Sequence, residues 1–515
     1  MLSPTWNHAA RSRHPALESQ PPIEALIEEV TARESLAERV VVVDGDIRLR
    51  GSELSDRVRR IAGGLRLAGL SRGAAVAFQM PSWWETIALY RACWRLGMVA
   101  VPIHHLAGEA EVARLIGDVD PSMVVAAPDV PASSVTGVLE VRGNGRFEEL
   151  LEAPPFNSIT AEPTDVAVVL FTSGSTGGPK GVMHTHRALA YKATSLLGIH
   201  GLDSDDVVLM PAPMAHISGL SNAVMLPGAG GLRSVLMAKW SPTEALELIR
   251  REGVTFMMGP PTFFQTMLAA PNFSPEAVAS LRLISCGGAG VTASFATEAS
   301  SRFDAVVKRT YGSTEAPVVS TWHAGDPPER AVDCDGRAAA DIEIRLVAPD
   351  TGRELAPGEA GEIWVRGPEL FVGYTDPSRN EGTVTVDGWL RTGDLGALEE
   401  GGWLRVVGRI KDIIIRGGEN ISAAEVEAVL ESHPEVRQAV VVGYPDPRLG
   451  ERACAFVVAS SGRTFDLAAC RDWFAETGVT KFKWPERVEQ IDEIPVLPSS
   501  GKADRAALRR LAAHI

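Results

Sequence analysis

Short apolar runs of strand length, separated by stretches with helical spacing, constrain this chain more than any other feature. Residues 39–44 (RVVVVD), 74–80 (AAVAFQM) and 166–171 (VAVVLF) read as buried strands. Between the first two, Leu54, Val58, Ile61 and Leu65 recur at the spacing of one helix face. That alternation predicts layered α/β architecture. At 515 residues the chain is too long for a single core, so two or more domains are expected. No period of about 20–50 residues marks a repeat fold.

A domain boundary is readable near 408–412. Residues 384–407 are rich in Gly, Trp and turn residues, and Asp412–Arg416 then forms a short apolar strand ending in Gly417-Gly418. Ser422 and Glu425 have the spacing of a capping box opening a helix through Val426, Val429 and Leu430, which Pro434 ends. Two strand-like runs follow, 438–443 (QAVVVG) and 453–459 (ACAFVVA). The expected fold is therefore α/β, with a large N-terminal domain of layered α/β subdomains (1–408) and a small α+β C-terminal domain (409–515).

The net charge of −15 argues against a general nucleic-acid or membrane-surface binder, though a few local cations and N–H groups suffice for an anionic cofactor. The five cysteines, Cys93, Cys286, Cys334, Cys454 and Cys470, are odd in number and far apart. They suit neither a disulfide framework nor a CxxC metal site, and point to a reducing cytoplasm. Arg11, Arg13, Glu18 and Pro21 interrupt any apolar signal region, and no apolar run approaches the roughly 18–20 residues of a membrane span.

The strongest motif follows the 166–171 run: Phe171-Thr-Ser-Gly-Ser-Thr-Gly-Gly-Pro-Lys180-Gly181. Glycines interleaved with hydroxyl side chains, with one lysine at the end, supply the N–H, O–H and cationic donors that a polyphosphate needs. Pro179 before the lysine and Gly181 after it exclude a Walker A loop, which requires Gly-Lys-Ser/Thr. The cluster Gly287-Gly288-Ala289-Gly290 lacks the spacing of a dinucleotide fingerprint.

This loop resembles the signature of the adenylate-forming superfamily, which comprises acyl-CoA synthetases, adenylation domains of peptide synthetases and firefly-type luciferases. Seven further motifs follow in the expected order. They are Pro213-Met-Ala-His216, Gly287-Gly-Ala-Gly290, Tyr311-Gly-Ser-Thr-Glu315, Trp389-Leu-Arg-Thr-Gly-Asp394, Gly408-Arg-Ile-Lys411, Gly417-Gly-Glu-Asn420 and Pro498-Ser-Ser-Gly-Lys502. The resemblance runs from about residue 30 to the end. In wording it is most similar to short-to-medium-chain acyl-CoA synthetases and cyclohexanecarboxylate-type ligases.

The resemblance implies a role for each motif. Thr172, Ser173, Gly174, Ser175, Thr176, Gly177 and Lys180 would cradle the ATP phosphates. Gly288, Ala289, Gly290, Tyr311 and Gly312 would face adenine, Asp394 the ribose hydroxyls, and Arg409 the ribose from the other side. Thr314 would contact phosphate and Glu315 would supply a carboxylate oxygen to Mg²⁺. A lysine this near a chain end is ordinarily solvated and inert. The Pro-Ser-Ser-Gly before Lys502 instead implies a catalytic cation that bridges carboxylate and α-phosphate. His216, ordinarily a core histidine, would line the acyl site near the path of the thiol. Lys411 would be the hinge of a mobile C-terminal domain, and Gly417 would border a coenzyme A tunnel.

The implied activity is that of an ATP-dependent acid–thiol ligase, an acyl-CoA synthetase working through acyl-AMP with ATP, Mg²⁺ and coenzyme A. Its partners are these and a small carboxylic acid, with no nucleic acid; the sequence leaves the oligomeric state open, a homodimer included. Met214, His216, Ile217, Gly219, Gly287 and Val318 are the expected acyl pocket, and their apolar or small character favours an uncharged, medium-chain aliphatic or alicyclic acid. Ala215 and Ile217 stand where amino-acid-activating relatives carry an Asp beside the histidine. Only thirteen residues follow Lys502, so no fused carrier domain is expected. Three readings stay open beside this one: a stand-alone adenylating enzyme that loads a separate carrier protein, a ligase for aryl acids, and a catalytically silent sensor.

Overall fold

The computed structural model describes residues 14–143, 145–172, 179–460, 462–496 and 502–514. The chain divides into two compact units. The first comprises residues up to Val291, with Phe295–Glu343 and Val365–Leu390; the second comprises Thr292–Ser294, Ile344–Trp364 and Arg391 onward.

Two sheets build the first unit. In the larger, six strands run parallel in the order Val40–Asp44, Arg233–Leu236, Val207–Met210, Phe256–Gly259, Leu283–Gly287 and Val306–Tyr311. The smaller sheet centres on the parallel strands Val166–Thr172, Val99–Ile103, Ala75–Gln79 and Met123–Ala126. Strands Ala75–Gln79, Val99–Ile103 and Leu283–Gly287 are buried at every residue. That is why they read as uninterrupted apolar runs: helices cover both faces of a parallel sheet. Helix Gly51–Leu67 buries Leu54, Val58, Ile61 and Leu65 into the core that includes Val76, Phe78 and Ala100.

The second unit holds a four-stranded sheet, Glu343–Val347, Ala360–Arg366, Leu390–Leu398 and Leu404–Arg409, and a separate sheet C-terminal to it. The boundary read from sequence at 408/409 falls at the end of strand Leu404–Arg409, inside this unit. In the C-terminal sheet, Val436–Asp446 and Gly450–Ala459 form a long hairpin flanked by Ile413–Arg416 and Arg487–Gln490. Ile414, Val426, Leu430, Val441 and Val457 share its core.

The capping box forms only in part. Ser422 Oγ accepts from Glu425 N at 3.3 Å, but the Glu425 carboxylate pairs with Lys483 at 2.5 Å instead of reaching back to the cap. An ammonium offers the carboxylate a stronger, charge-assisted partner than a backbone N–H does.

Candidate functional site

Ligands of open parallel α/β sheets bind beyond the carboxyl ends of the strands. Two neighbouring strands of the larger sheet end there in glycine-rich segments, Leu283–Gly287 running into Gly288–Gly290 and Val306–Tyr311 into Gly312–Glu315. Gly287 lies against its neighbour: a Cβ there would stand 2.4 Å from the Thr310 carbonyl oxygen. A Cβ on Gly312 would meet the Pro317 carbonyl at 2.3 Å, so the turn from 312 to 317 closes on itself only without a side chain. Gly288 and Gly290 instead face open space, with nothing within 4 Å of an added Cβ. A flat group can approach that backbone closely.

Strands Val166–Thr172 and Lys180–Thr185 are antiparallel, with Thr172 opposite Lys180. They bring the two ends of the predicted phosphate loop together. Ser173, Gly174, Ser175, Thr176 and Gly177 lie outside the described residues. Lys180 Nζ stands 5.0 Å above the ring of Tyr374, and the Tyr374 hydroxyl donates to Glu315 Oε1 at 2.8 Å. Burial and the Glu315 carboxylate raise the Tyr374 pKa, so the phenol remains a donor. The Thr314 carbonyl accepts from His184 Nε2 at 2.8 Å, which fixes the turn from below. His184 is fully buried, and burial lowers its pKa to about 4, so the ring is neutral near neutral pH. Tyr374 and His184 were missed from sequence. Tyr374 sits on a two-residue strand, Gly373–Tyr374, too short to show periodicity.

Glu315 brings a carboxylate to this cluster, and Tyr374 occupies one of its oxygens. A hydrated Mg²⁺ carried by a nucleotide needs only one or two protein carboxylates. The donor set therefore fits Mg²⁺, although among the described residues no three His, Cys, Asp or Glu side chains are grouped to hold a metal by themselves.

Further along the same turn, Pro317 and Val318 line a partly open cavity of about 30 Å³. Ile217 and Val318, both expected in the acyl pocket, line it together with Leu196 and Met258. The remaining wall is polar: Lys192, His200, Ser218, Ser221, Asn222, Ser285 and Thr310. Polar side chains thus join the expected apolar ones in the lining. Lys192, Leu196 and His200 come from one face of helix His186–His200, which the sequence offers no reason to join to the pocket. Three other predicted residues sit differently. Met214 is buried, its carbonyl accepting from Tyr90 at 2.8 Å. A Cβ on Gly219 would stand 2.1 Å from the Pro213 carbonyl, so Gly219, like Gly287, serves close backbone packing. His216 begins helix Ile217–Leu220, with its ring 5.1 Å from that of His104. Burial and the neighbouring histidines His216 and His105 lower the His104 pKa to about 3.

In the second unit, Asp394 and Arg409 are opposite one another on antiparallel strands, with Arg409 Nε 2.8 Å from Asp394 Oδ1. Asp394 is buried and Arg409 half exposed. Thr392 Oγ accepts from the Asp394 amide at 3.1 Å and donates to Ile363 O at 2.7 Å, which sets the bend. Lys411 lies in a single 3-10 turn, Ile410–Asp412, where burial and Arg409 lower its pKa. Gly417 and Gly418 have φ of +60° and +93° and form the two-residue turn joining Arg416 to its partner Glu419. Lys502 is exposed, beside the bridge between Val496 and Ala503.

The pattern of the AMP-binding enzyme family matches residues 28–375, and that of the AMP-binding enzyme C-terminal domain matches 425–502. The chain is 32% identical over 505 residues to a medium-chain fatty-acid–CoA ligase of Escherichia coli K12, covering 93% of this chain and 88% of that protein. It is 34% identical over 471 residues to a feruloyl-CoA synthase of an Amycolatopsis species, covering 90% and 94%. Among solved structures, ATP-bound MatB from Rhodopseudomonas palustris superposes with a TM-score of 0.87 at 29% identity, covering 95% of this chain and 98% of that one. Among the described residues no helix is long and apolar enough to cross a membrane.

Proposed function

The chain belongs to the AMP-binding enzyme family, and on that premise we propose that it is an AMP-forming acyl-CoA synthetase. One observation carries the reading. The single turn 312–318 bears Glu315, bonded to the Tyr374 hydroxyl whose ring Lys180 covers, and continues into Pro317 and Val318 of the cavity wall. An enzyme that joins a carboxylate to a nucleotide needs those two sites back to back.

In the first step a carboxylate oxygen forms a bond to the α-phosphorus of ATP, and the bond to the bridging oxygen breaks to release pyrophosphate. The barrier is one of alignment and of repulsion between anions. Lys180 and Lys502 offset the repulsion, Lys502 at the α-phosphate. Asp394 accepts from the ribose hydroxyls with Arg409 beside it, and Gly288–Gly290 with Tyr311 and Gly312 receive the base. Thr314 contacts phosphate. Mg²⁺ held through Glu315 supplies charge neutralisation at the phosphates. In the second step the sulfur of coenzyme A forms a bond to the acyl carbon, AMP leaves with the bonding pair, and the thiol proton passes to solvent. A free thiol has a pKa of about 8.5, so some thiolate exists near neutral pH. Gly417 borders the path of the thiol, and residues 409–515 move about Lys411 so that Lys502 and Gly417 serve in turn. Met214, His216, Ile217, Gly219, Gly287 and Val318 remain the acyl-site residues of this reading, with medium-chain aliphatic, alicyclic or aryl acids as its candidates.

Acid-dependent ATP–pyrophosphate exchange tests the first step, and thioester formation with coenzyme A as sole acceptor tests the second. Exchange without thioester would transfer the reading to a carrier-loading enzyme. No exchange with any acid of a broad panel would end it.

A further inference from the structure

Beside the buried ammonium of Lys192, two side chains of the cavity wall each carry an atom without the partner that burial ordinarily demands. Lys192 is 1% exposed, and among the described residues its hydrogen-bond partner is Glu369, with Nζ 3.4 Å from one carboxylate oxygen and 3.3 Å from the other. These two contacts engage up to two of the three ammonium hydrogens, so at least one remains for a further acceptor. Glu369 meanwhile accepts from Val318 N at 2.9 Å, which ties it to the wall. Ser221 is 3% exposed and its hydroxyl has no partner. Asn222 is 1% exposed; its amide nitrogen donates to Ser218 O at 2.8 Å and contacts Met258 Sδ, while its carbonyl oxygen has no partner. Ser221 and Asn222 open a wide π-helical turn, Ser221–Met225, a departure from regular helix that is frequent at functional positions.

Other polar groups of the wall have partners, His200 Nδ1 lying 2.6 Å from Lys308 Nζ. Ser285 and Thr310 share a hydrogen bond at 2.7 Å, and Thr310 passes on to Thr321 at 2.8 Å. Lys192, Ser221 and Asn222 thus offer the cavity a donor, a donor–acceptor and an acceptor. A hydroxyl both accepts and donates, so it satisfies Lys192 and Asn222 together. A partly open space of about 30 Å³ takes the tip of an acyl group, at the scale of one or two water-sized groups.

We propose that Lys192, Ser221 and Asn222 are specificity-determining residues that hold a hydroxyl at the far end of the acid, so that the preferred substrates are distally hydroxylated carboxylic acids. This rests on the reading of the protein as an acid-activating ligase. A wall built to hydrogen-bond a substrate hydroxyl rejects the analogue without it, because its buried groups are then left unpaired; an apolar pocket cannot discriminate in this way.

The test uses the full-length protein and matched pairs: 3-phenylpropanoate with 3-(4-hydroxyphenyl)propanoate, cyclohexanecarboxylate with its 4-hydroxy derivative, and octanoate with 8-hydroxyoctanoate. The readouts are acid-dependent pyrophosphate exchange and kcat/KM. In at least one pair the hydroxylated acid is expected to exceed its parent by about tenfold or more. Ser221→Ala, Asn222→Leu and the double variant Lys192→Met/Glu369→Gln are expected to bring that ratio towards one. The double variant avoids leaving a carboxylate buried without its cation, and thermal melts check each fold. Parents equal to or better than their hydroxylated partners in every pair would overturn the proposal while leaving the ligase reading intact. So would a preference that survives in a folded Ser221→Ala and a folded Asn222→Leu. Absence of exchange with all acids would overturn both.

Discussion

The two faces of the turn 312–318 are made in different ways. The face that carries Glu315 is assembled from contiguous motifs: the segments ending at Lys180 and Gly290, and Tyr311–Glu315 itself. The cavity face is assembled from single residues of distant segments, Lys192, Asn222, Met258, Thr310 and Val318 among them. Phosphates and an adenine ring are recognised largely by backbone groups and glycine-shaped space, which require a run of particular residues. An acyl group is recognised by the walls of a hole, and any element that reaches the hole contributes. Damage to the first face should therefore be blind to the acid, whereas damage to the second should depend on it.

Lys502→Ala gives the largest effect that this comparison predicts. Acyl-adenylate formation should fall by about 10²–10³-fold, the scale of losing an electrostatic group aimed at a transition state, and by the same factor for every acid. Supplied acyl-adenylate should still be converted to thioester. A loss confined to some acids would place Lys502 with the cavity rather than with the phosphates. Its counterpart is Gly417→Asn. The turn requires left-handed backbone at 417, and Asn-Gly suits a two-residue turn of this type, so the hairpin persists while a side chain enters. Thioester formation should drop by roughly tenfold or more with adenylate formation retained, the loss expected when a misplaced group upsets positioning. Equal losses in both half-reactions, in a protein whose melt is unchanged, would remove Gly417 from the thiol path.

Glu315→Gln should cost about 100-fold in exchange and raise the Mg²⁺ requirement, because an amide replaces an anionic oxygen. Tyr374→Phe should cost about tenfold, the worth of one hydrogen bond to a charged group, again for all acids alike. A Tyr374→Phe enzyme with normal kinetics would leave the phenol a purely structural neighbour.

The smallest effect concerns pH and the support beneath the turn. His184 is buried neutral, with its pKa lowered to about 4 from an ordinary 6.5. Between those values the unfolded chain binds the proton that the folded one excludes. The stability this group contributes is thus full above about pH 6.5 and is lost as pH falls towards 4. His184→Gln should flatten the decline of Tm between pH 7 and 5 by about 1–2 °C, the shift that roughly 1–2 kcal/mol gives a protein of this size. An unchanged slope would assign the acid sensitivity to other histidines, such as His186 and His323, whose pKa values burial likewise lowers to about 4.

The sequence by itself determined the layering and the phosphate-side motifs. Runs such as 74–80 and 166–171 become strands buried along most of their length because cover on both faces leaves few polar positions, a property that each run displays alone. Gly312 is likewise dictated locally, since the turn it begins closes on the carbonyl of Pro317 only five residues away. Tertiary structure decided what no window of residues contains. It brought Tyr374 across from a two-residue strand to Glu315. It left Glu425 to Lys483 rather than to its own helix cap. It turned Lys192, at an ordinary helix position, into the wall of a cavity opposite Asn222. Periodicity and motif spacing report on neighbours along the chain, while the lining of a hole is fixed by how whole elements pack, and that packing added polar side chains to a pocket whose nearest sequence is apolar.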